Sequence, residues 1–376
     1  MRSGWRWRSA AYLAVALGVL AGAAMPLSHA PAPGLFARPG VLAATLATAA
    51  LYGAAAAVAG WLSVAATFAG VLLGCAATLV LLHDPTIAGT AASGFWLLVV
   101  ANWGAAWLGV AGLAAIRTHE RAISSAIDLA IPLLFGAFVF YLWEVAVRGF
   151  GVPTVLVPAP SLIAVRFFGS LWMLWQDFFQ TFVLGVLIGY AIGCSAGFLV
   201  AVVAHRYTFL GRGLLPIGNF VSALPIVGIA PIMVMWFGFD WPSKAAVVVV
   251  ITFFPMLVNT LAGLDAAGHI ERDLMRSYGA GHRQTLQKLH LPAAMPFIFN
   301  ALKINSTLAF IGAIVAEFFG TPTLGIGFRI SIEAGRMALD MVWAEIALAA
   351  IVGMAFYGLV ALAERATTFW HPSFRT

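Results

Sequence analysis

The sequence predicts an all-α, polytopic integral membrane protein of about ten transmembrane helices, and three observations carry that reading. Apolar residues make up 62% of the 376-residue chain and charged residues only 9%, against about 25% charged in an ordinary soluble domain. The apolar stretches last about 18–25 residues, the length at which a helix crosses the hydrocarbon core of a bilayer. They lack the short alternating pattern of a barrel, and lipid offers backbone N–H and C=O groups no water, so the spans must be helices.

Four spans come first, at residues 9–27, 41–59, 62–82 and 94–116. Only Gly60-Trp61 divides the second from the third, and their joint apolar length overruns a single crossing, so they read as a tight hairpin. Arg2, Arg6 and Arg8 before the first apolar run, with Ser28-His29-Ala30 behind it, have the layout of a cleavable signal peptide. Pro31 directly after that small-x-small pattern, and the hydrophobicity that continues beyond it, favour an uncleaved anchor. The polar stretch from Arg117 to Arg121 closes this group and places a division near residue 125, making 1–125 an N-terminal extension. Six spans follow within 126–376, at 129–147, 175–203, 214–237, 244–262, 297–318 and 343–364, with longer loops and more aromatics.

The net charge is +6, but the basic residues are dispersed at the edges of apolar runs, so no nucleic-acid partner is implied. With the N-terminus in the cytoplasm, only Arg38, Arg148, Arg166, Lys244, Arg329 and Arg336 of the 20 Lys and Arg fall in outside segments. That bias predicts N-in and C-in termini and an even number of spans. Cys75 and Cys194 lie in apolar runs and read as small packing residues. The eight histidines show no pair at metal-ligand spacing, so no metal is expected. There is no G-x-x-x-x-G-K-[ST] phosphate loop, so no catalytic residue or ATPase chemistry is assigned to the chain.

The longest polar stretch runs from Asp265 to Pro296, as DAAGHIERDLMRSYGAGHRQTLQKLHLPAAMP. A helical piece over 267–278 is expected to end at Gly279, a residue free to turn left-handed, and a second piece to run to Leu291-Pro292. Such a unit at the membrane face is either a rigid knob for a cytoplasmic partner or an ordinary amphipathic loop. In the span at 214–237, Pro225 and Pro231 break the hydrogen-bond ladder. Broken helices line solute pathways in transporters, and a kink tolerated by neighbours is the plainer alternative. Gly185, Gly189, Gly193 and Gly197 form a stripe at four-residue spacing that suits close packing of another helix, from this chain or a second copy. Polar groups inside spans are costly. Asn219, Ser222, Asn259, Asn305, Ser306 and Glu317 are therefore candidates for a central path or for interhelical hydrogen bonds, and Glu144 for headgroups or Arg148.

The 265–292 loop resembles the loop of permeases from binding-protein-dependent ABC importers, whose pattern is E-A-A, three residues, Gly, nine residues, Ile-x-Leu-Pro. Here Asp273-Leu274-Met275 stand in the first slot, then Gly279, then Leu289-His290-Leu291-Pro292 at matching spacing. Only the acid of the first triad is kept, a departure typical of the branch that handles nitrate, sulfonates, taurine and thiamine-precursor pyrimidines. Ala223-Leu224-Pro225-Ile226-Val227-Gly228-Ile229-Ala230-Pro231 followed by Trp236-Phe237-Gly238-Phe239, and Val157-Pro158-Ala159-Pro160-Ser161, resemble the same branch. The resemblance covers about 129–370 and not 1–125.

It implies a permease domain over 126–376, in a bacterial cytoplasmic membrane, that forms the solute pathway. The loop would be a coupling helix docked in a cytoplasmic ATP-binding subunit through Asp273, Arg276, Tyr278, Gly279, Ala280, Leu291 and Pro292. The resemblance also implies an extracytoplasmic solute-binding protein, a second permease copy, and ATP and Mg used by the partner subunit rather than bound by this chain. Along the path it points to Asn219, Ser222, Pro225, Pro231, Asn259 and Glu317. Two other classes remain open. A secondary transporter driven by an ion gradient calls for inverted repeats and midplane acids. A membrane-integral sensor or enzyme calls for paired polar residues, and 1–125 offers Asn102, His83 and Asp84.

Overall fold

The computed structural model describes residues 2–30, 34–116, 118, 120–222, 224–320 and 324–370, with the side chains of residues 2–6, 208, 215, 219 and 222 excepted. The expectations placed on Pro31, Arg117 and Ala223, and on the side chains of Arg2, Arg6, Asn219 and Ser222, lie outside the described residues. Among the described residues the fold is all-helical, with one isolated bridge between Ser28 and Ala91. It divides into two compact units, Met1–Ile163 and Ala164–Thr376.

The first unit holds α1 (Arg2–Ala24), α2 (Pro39–Ala57), α3 (Trp61–Leu81), α4 (Ser93–Ala114) and α5 (Arg121–Gly149), and ends within α6 (Pro160–Gly169). α1 packs on α2 and α4, and α3 packs on the same two, so the four close into a bundle. Gly60 makes the hairpin between α2 and α3 with φ 66, a conformation that a Cβ would oppose. Val19, Tyr52, Phe95, Leu98 and Ala105 fill the bundle core. Its buried polar groups are neutral and paired: Tyr52 donates to Asn102 Oδ1 at 2.5 Å, and Thr67 to Tyr12 at 3.0 Å.

The compact units meet at Ile163/Ala164, and α5 is stitched to the bundle. The amide of Gly89 donates to Arg148 O at 2.9 Å, and Thr78 and Tyr141 share a hydrogen bond of 2.8 Å. Gly89 and Gly151 approach so closely that a Cβ on Gly151 would stand 2.7 Å from Gly89 Cα.

The second unit holds α7 (Leu171–Arg206), α8 (Thr208–Ser222), α9 (Ile226–Phe237), α10 (Trp241–Asp265), α11 (His269–Ser277), α12 (His282–Glu317), α13 (Ile326–Gly335) and α14 (Leu339–Thr367). α10 is its centre and packs most closely on α7 and α12. The glycine stripe of α7 explains that approach. A Cβ on Gly189 would stand 2.7 Å from Ala245 O, and one on Gly197 would stand 2.5 Å from Phe253 O. On Gly193 it would overlap Thr252 Oγ1. The partner helix thus belongs to the same chain. Gly185 is looser, its nearest neighbour being Lys244 Cβ at 3.5 Å.

Among the described residues nine helices are long and apolar enough to cross a membrane, where the sequence suggested about ten. The difference lies in the stretch 214–237. It is not one helix but parts of α8 and α9, separated at Leu224-Pro225. Pro225 sits in extended backbone (φ −68, ψ 126), where its missing N–H costs no helical bond.

Candidate functional site

The 265–292 loop forms one short helix with a stop built from its own backbone. After α11, Gly279 takes φ 66; its amide donates to Arg276 O at 2.9 Å and that of Ala280 to Met275 O at 3.0 Å. This pair of bonds is a Schellman motif, which satisfies carbonyls that a helix C-terminus leaves open. The chain then enters α12 at His282, helped by Gln284 Oε1, which accepts the Gly281 amide at 3.1 Å. The second helical piece does not stop at Leu291-Pro292 but runs on to Glu317. Pro292 has no N–H for the carbonyl four residues back, and the helix widens to a π stretch over Leu286–His290 just before it.

α11 buries none of its residues. Ile270, Leu274 and Tyr278 follow one another at four-residue intervals and are 82%, 55% and 81% exposed. Side chains so spaced share one helix face. Asp273 and Arg276 are also exposed and form an ion pair of 3.4 Å, while Ala280 is half-buried. Leu291 packs instead into the core cluster of Cys194, Met256, Leu264 and Ala294, and Pro292 is half-buried beside it. Sequence reasoning therefore grouped surface and core residues of this loop, and it passed over Ile270. The spacing Ile270-Leu274-Tyr278 was the available signal.

At the other end of the second unit, a buried polar cluster holds the start of α13. Gly325 N donates to Asp177 Oδ1 at 2.6 Å, Ile326 N to Thr181 Oγ1 at 2.8 Å, and Gly327 N to Glu317 Oε2 at 2.7 Å. Thr181 Oγ1 donates to Glu317 Oε1 at 2.7 Å, and Arg329 Nε to Asp177 Oδ2 at 2.8 Å. Acids at a helix N-terminus meet its free amides and the positive end of its dipole. Lys244, only 2% exposed, donates to the carbonyls of Phe239, Asp240 and Gly320, so it ties the end of α9 to the segment after α12.

Of the residues suggested for a central path, Glu317 is 2% exposed, with both oxygens engaged in this cluster. Asn259 is half-buried and donates to Pro255 O of its own helix at 2.8 Å. Pro225 is exposed and Pro231 half-buried. Asn305 donates to Thr252 O at 2.8 Å, and Ser306 to Lys303 O at 2.7 Å. Glu144 faces Arg148 at 2.5 Å and also accepts from Ser161 N at 2.9 Å. Asp177, Thr181 and Glu345 went unnoticed in the sequence, and Arg329 entered only as an outside charge. Asp177 and Glu345 lie just inside predicted spans, where an acid reads as a headgroup contact, yet each is wholly buried. Lys244 was counted as an outside marker for the same reason.

Comparison with known proteins agrees with this layout. Residues 189–369 match the family model described as binding-protein-dependent transport system inner membrane component. A formylaminopyrimidine transport permease protein of Halalkalibacterium halodurans is 32% identical over 197 residues, covering 52% of this chain and 78% of that one. A riboflavin transport system permease protein of Chloroflexus aurantiacus is 28% identical over 260 residues, covering 69% and 95%. A taurine transport system permease protein of Escherichia coli is 31% identical over 188 residues, covering 50% and 64%. This chain belongs to the family of inner-membrane permease components of binding-protein-dependent ABC importers.

Proposed function

We propose that α11 is the element through which a cytoplasmic ATP-hydrolysing subunit drives this permease. The apolar stripe Ile270-Leu274-Tyr278 carries the reading. It stands outside the spans on a helix that buries none of its own residues, and apolar surface left open in this way marks an interaction site. Asp273 and Arg276 flank it as a polar rim, and Gly279 and Ala280 fix where the helix stops. Leu291 and Pro292 act behind it, seating the loop on the core.

In this reading two copies of the chain enclose the solute path and an extracytoplasmic binding protein delivers the solute. The partner subunits bind ATP and Mg. α8 and α9 together make one broken crossing, so ten crossings leave both termini in the cytoplasm. Pro225, Pro231, Asn219, Ser222 and Asn259 belong to the helices nearest the path, and Glu317 positions α13 rather than touching solute. The permease domain is 126–376, and 1–125 is an N-terminal extension of it.

Co-purification of the chain with its ATPase subunit tests the docking. Gly279 has open space around its Cβ position, so a substitution there acts through the backbone alone. A left-handed conformation costs an L-residue about 1–2 kcal/mol, more for a β-branched one and less for Asn. Gly279→Val is expected to lose most of the bound ATPase and Gly279→Asn to keep it, with both inserted normally. Equal ATPase recovery from the two would count against docking at α11.

A further inference from the structure

Two imidazoles join the start of the cytoplasmic loop to its end. His205, in the last turn of α7, has Nδ1 3.2 Å from Asp265 Oδ1 at the end of α10. Its ring stands edge-on to that of His290, with centroids 4.6 Å apart and 64° between the planes. His290 closes the π stretch of α12, is 7% exposed, and has Nδ1 2.7 Å from Leu264 O. A carbonyl can only accept, so His290 carries a proton on Nδ1. Leu264 O is one of the carbonyls that the C-terminus of α10 leaves without a helical donor. Because α11 buries nothing of its own, its tie to the spans runs through this stem, where Ala267 is buried and Leu286 packs on the cluster of Leu264 and Ala294.

We propose that His205 and His290 are positioning residues for coupling. They clamp both ends of the loop to α7, α10 and α12, so that a push on α11 moves three spans as one body. This rests on the reading of α11 as the docking helix. An apolar stem could fill the same space, but it would leave the Leu264 carbonyl unpaired and would not fix the direction of α7 against the loop. Arg206 and His282 lie within electrostatic reach of this group, and Asp265 is the acid facing it.

The test uses the full chain assembled with its ATPase subunit in lipid nanodiscs. Spin labels are placed at Ser277→Cys and Tyr207→Cys, with labelled chains diluted by unlabelled ones, and the distance is read with and without ATP plus vanadate. The unsubstituted stem should hold one narrow distance in both states. So should His290→Asn, whose amide donates from the place of Nδ1. His290→Leu should keep the ATPase bound but lose the narrow distance. A narrow distance in His290→Leu, or His290→Asn behaving like His290→Leu, overturns the clamp alone. An ATPase bound away from α11 sinks the docking reading and the clamp with it. Should His290→Leu fail to fold, His205→Phe, which keeps a ring but loses Asp265, is read in the same way.

Discussion

Glu144 near the end of α5 and Glu317 at the end of α12 each accept an amide hydrogen from the first turn of the short helix that follows. Ser161 of α6 donates at 2.9 Å and Gly327 of α13 at 2.7 Å. The supports behind the two acids differ. Glu144 is paired with Arg148 one turn away and with the hydroxyl of Ser161, all close in sequence. The start of α13 also needs Asp177 and Thr181 from α7, far away along the chain, and Asp177 holds Arg329 besides. The first arrangement is local and partly open to water. The second is long-range and closed, so its members depend on one another more heavily.

The sharpest way to break this comparison is to remove one acid from each. Asp177→Ala leaves Arg329, whose side chain is 14% exposed, without its carboxylate. Stranding a buried charge costs about 3–5 kcal/mol. Glu144→Ala should cost less, about 1–3 kcal/mol, because Arg148 is 29% exposed and can turn to water. Thermal unfolding in detergent reads both, and equal losses would refute the distinction.

A second contrast lies along the glycine stripe, with a smaller expected effect. Gly193→Ala forces a methyl group against Thr252 and the Val249 backbone, and should cost about 1–3 kcal/mol. Gly185→Ala meets nothing closer than 3.5 Å and should be nearly neutral in the same assay.

The smallest effect belongs to a local site in the loop before α4. The hydroxyl and amide of Thr86, together with Arg38, hold the carboxyl of Asp84 at about 2, below its usual 3.8. A carboxyl lowered in this way stabilises the loop fully above about pH 4 and loses that contribution as pH falls through its own value. Amide exchange at Thr86 should rise only below that range. A rise at neutral pH would show that the carboxylate is not what holds the turn.

The same contrast explains what the sequence made legible. Span positions, the α2–α3 hairpin, the stop at Gly279 and the Glu144–Arg148 pair depend on apolar length or on neighbours within a few residues. The loop pattern around Gly279 and Leu291-Pro292 also pointed to the family. The buried role of Asp177 depends on Gly325 and Arg329, and that of Lys244 in part on Gly320, all far away along the chain, and a single polar residue near a span end does not reveal which way it faces. The break at Leu224-Pro225 was visible as a proline, but proline kinks some membrane helices and ends others, and neighbours decide which. The exposed stripe on α11 was present in the letters, yet it acquires meaning only once the helix is seen to bury none of its residues.

Photo-crosslinking from position 270 of α11 tests the docking claim most directly. A benzoylphenylalanine at Ile270, 82% exposed, should crosslink to the ATPase subunit in intact membranes, and one at Tyr278 should do the same from the far end of the stripe. Crosslinks to lipid alone, with the ATPase still assembled on the permease, would mean that the stripe rests on the membrane surface and that the ATPase is engaged elsewhere.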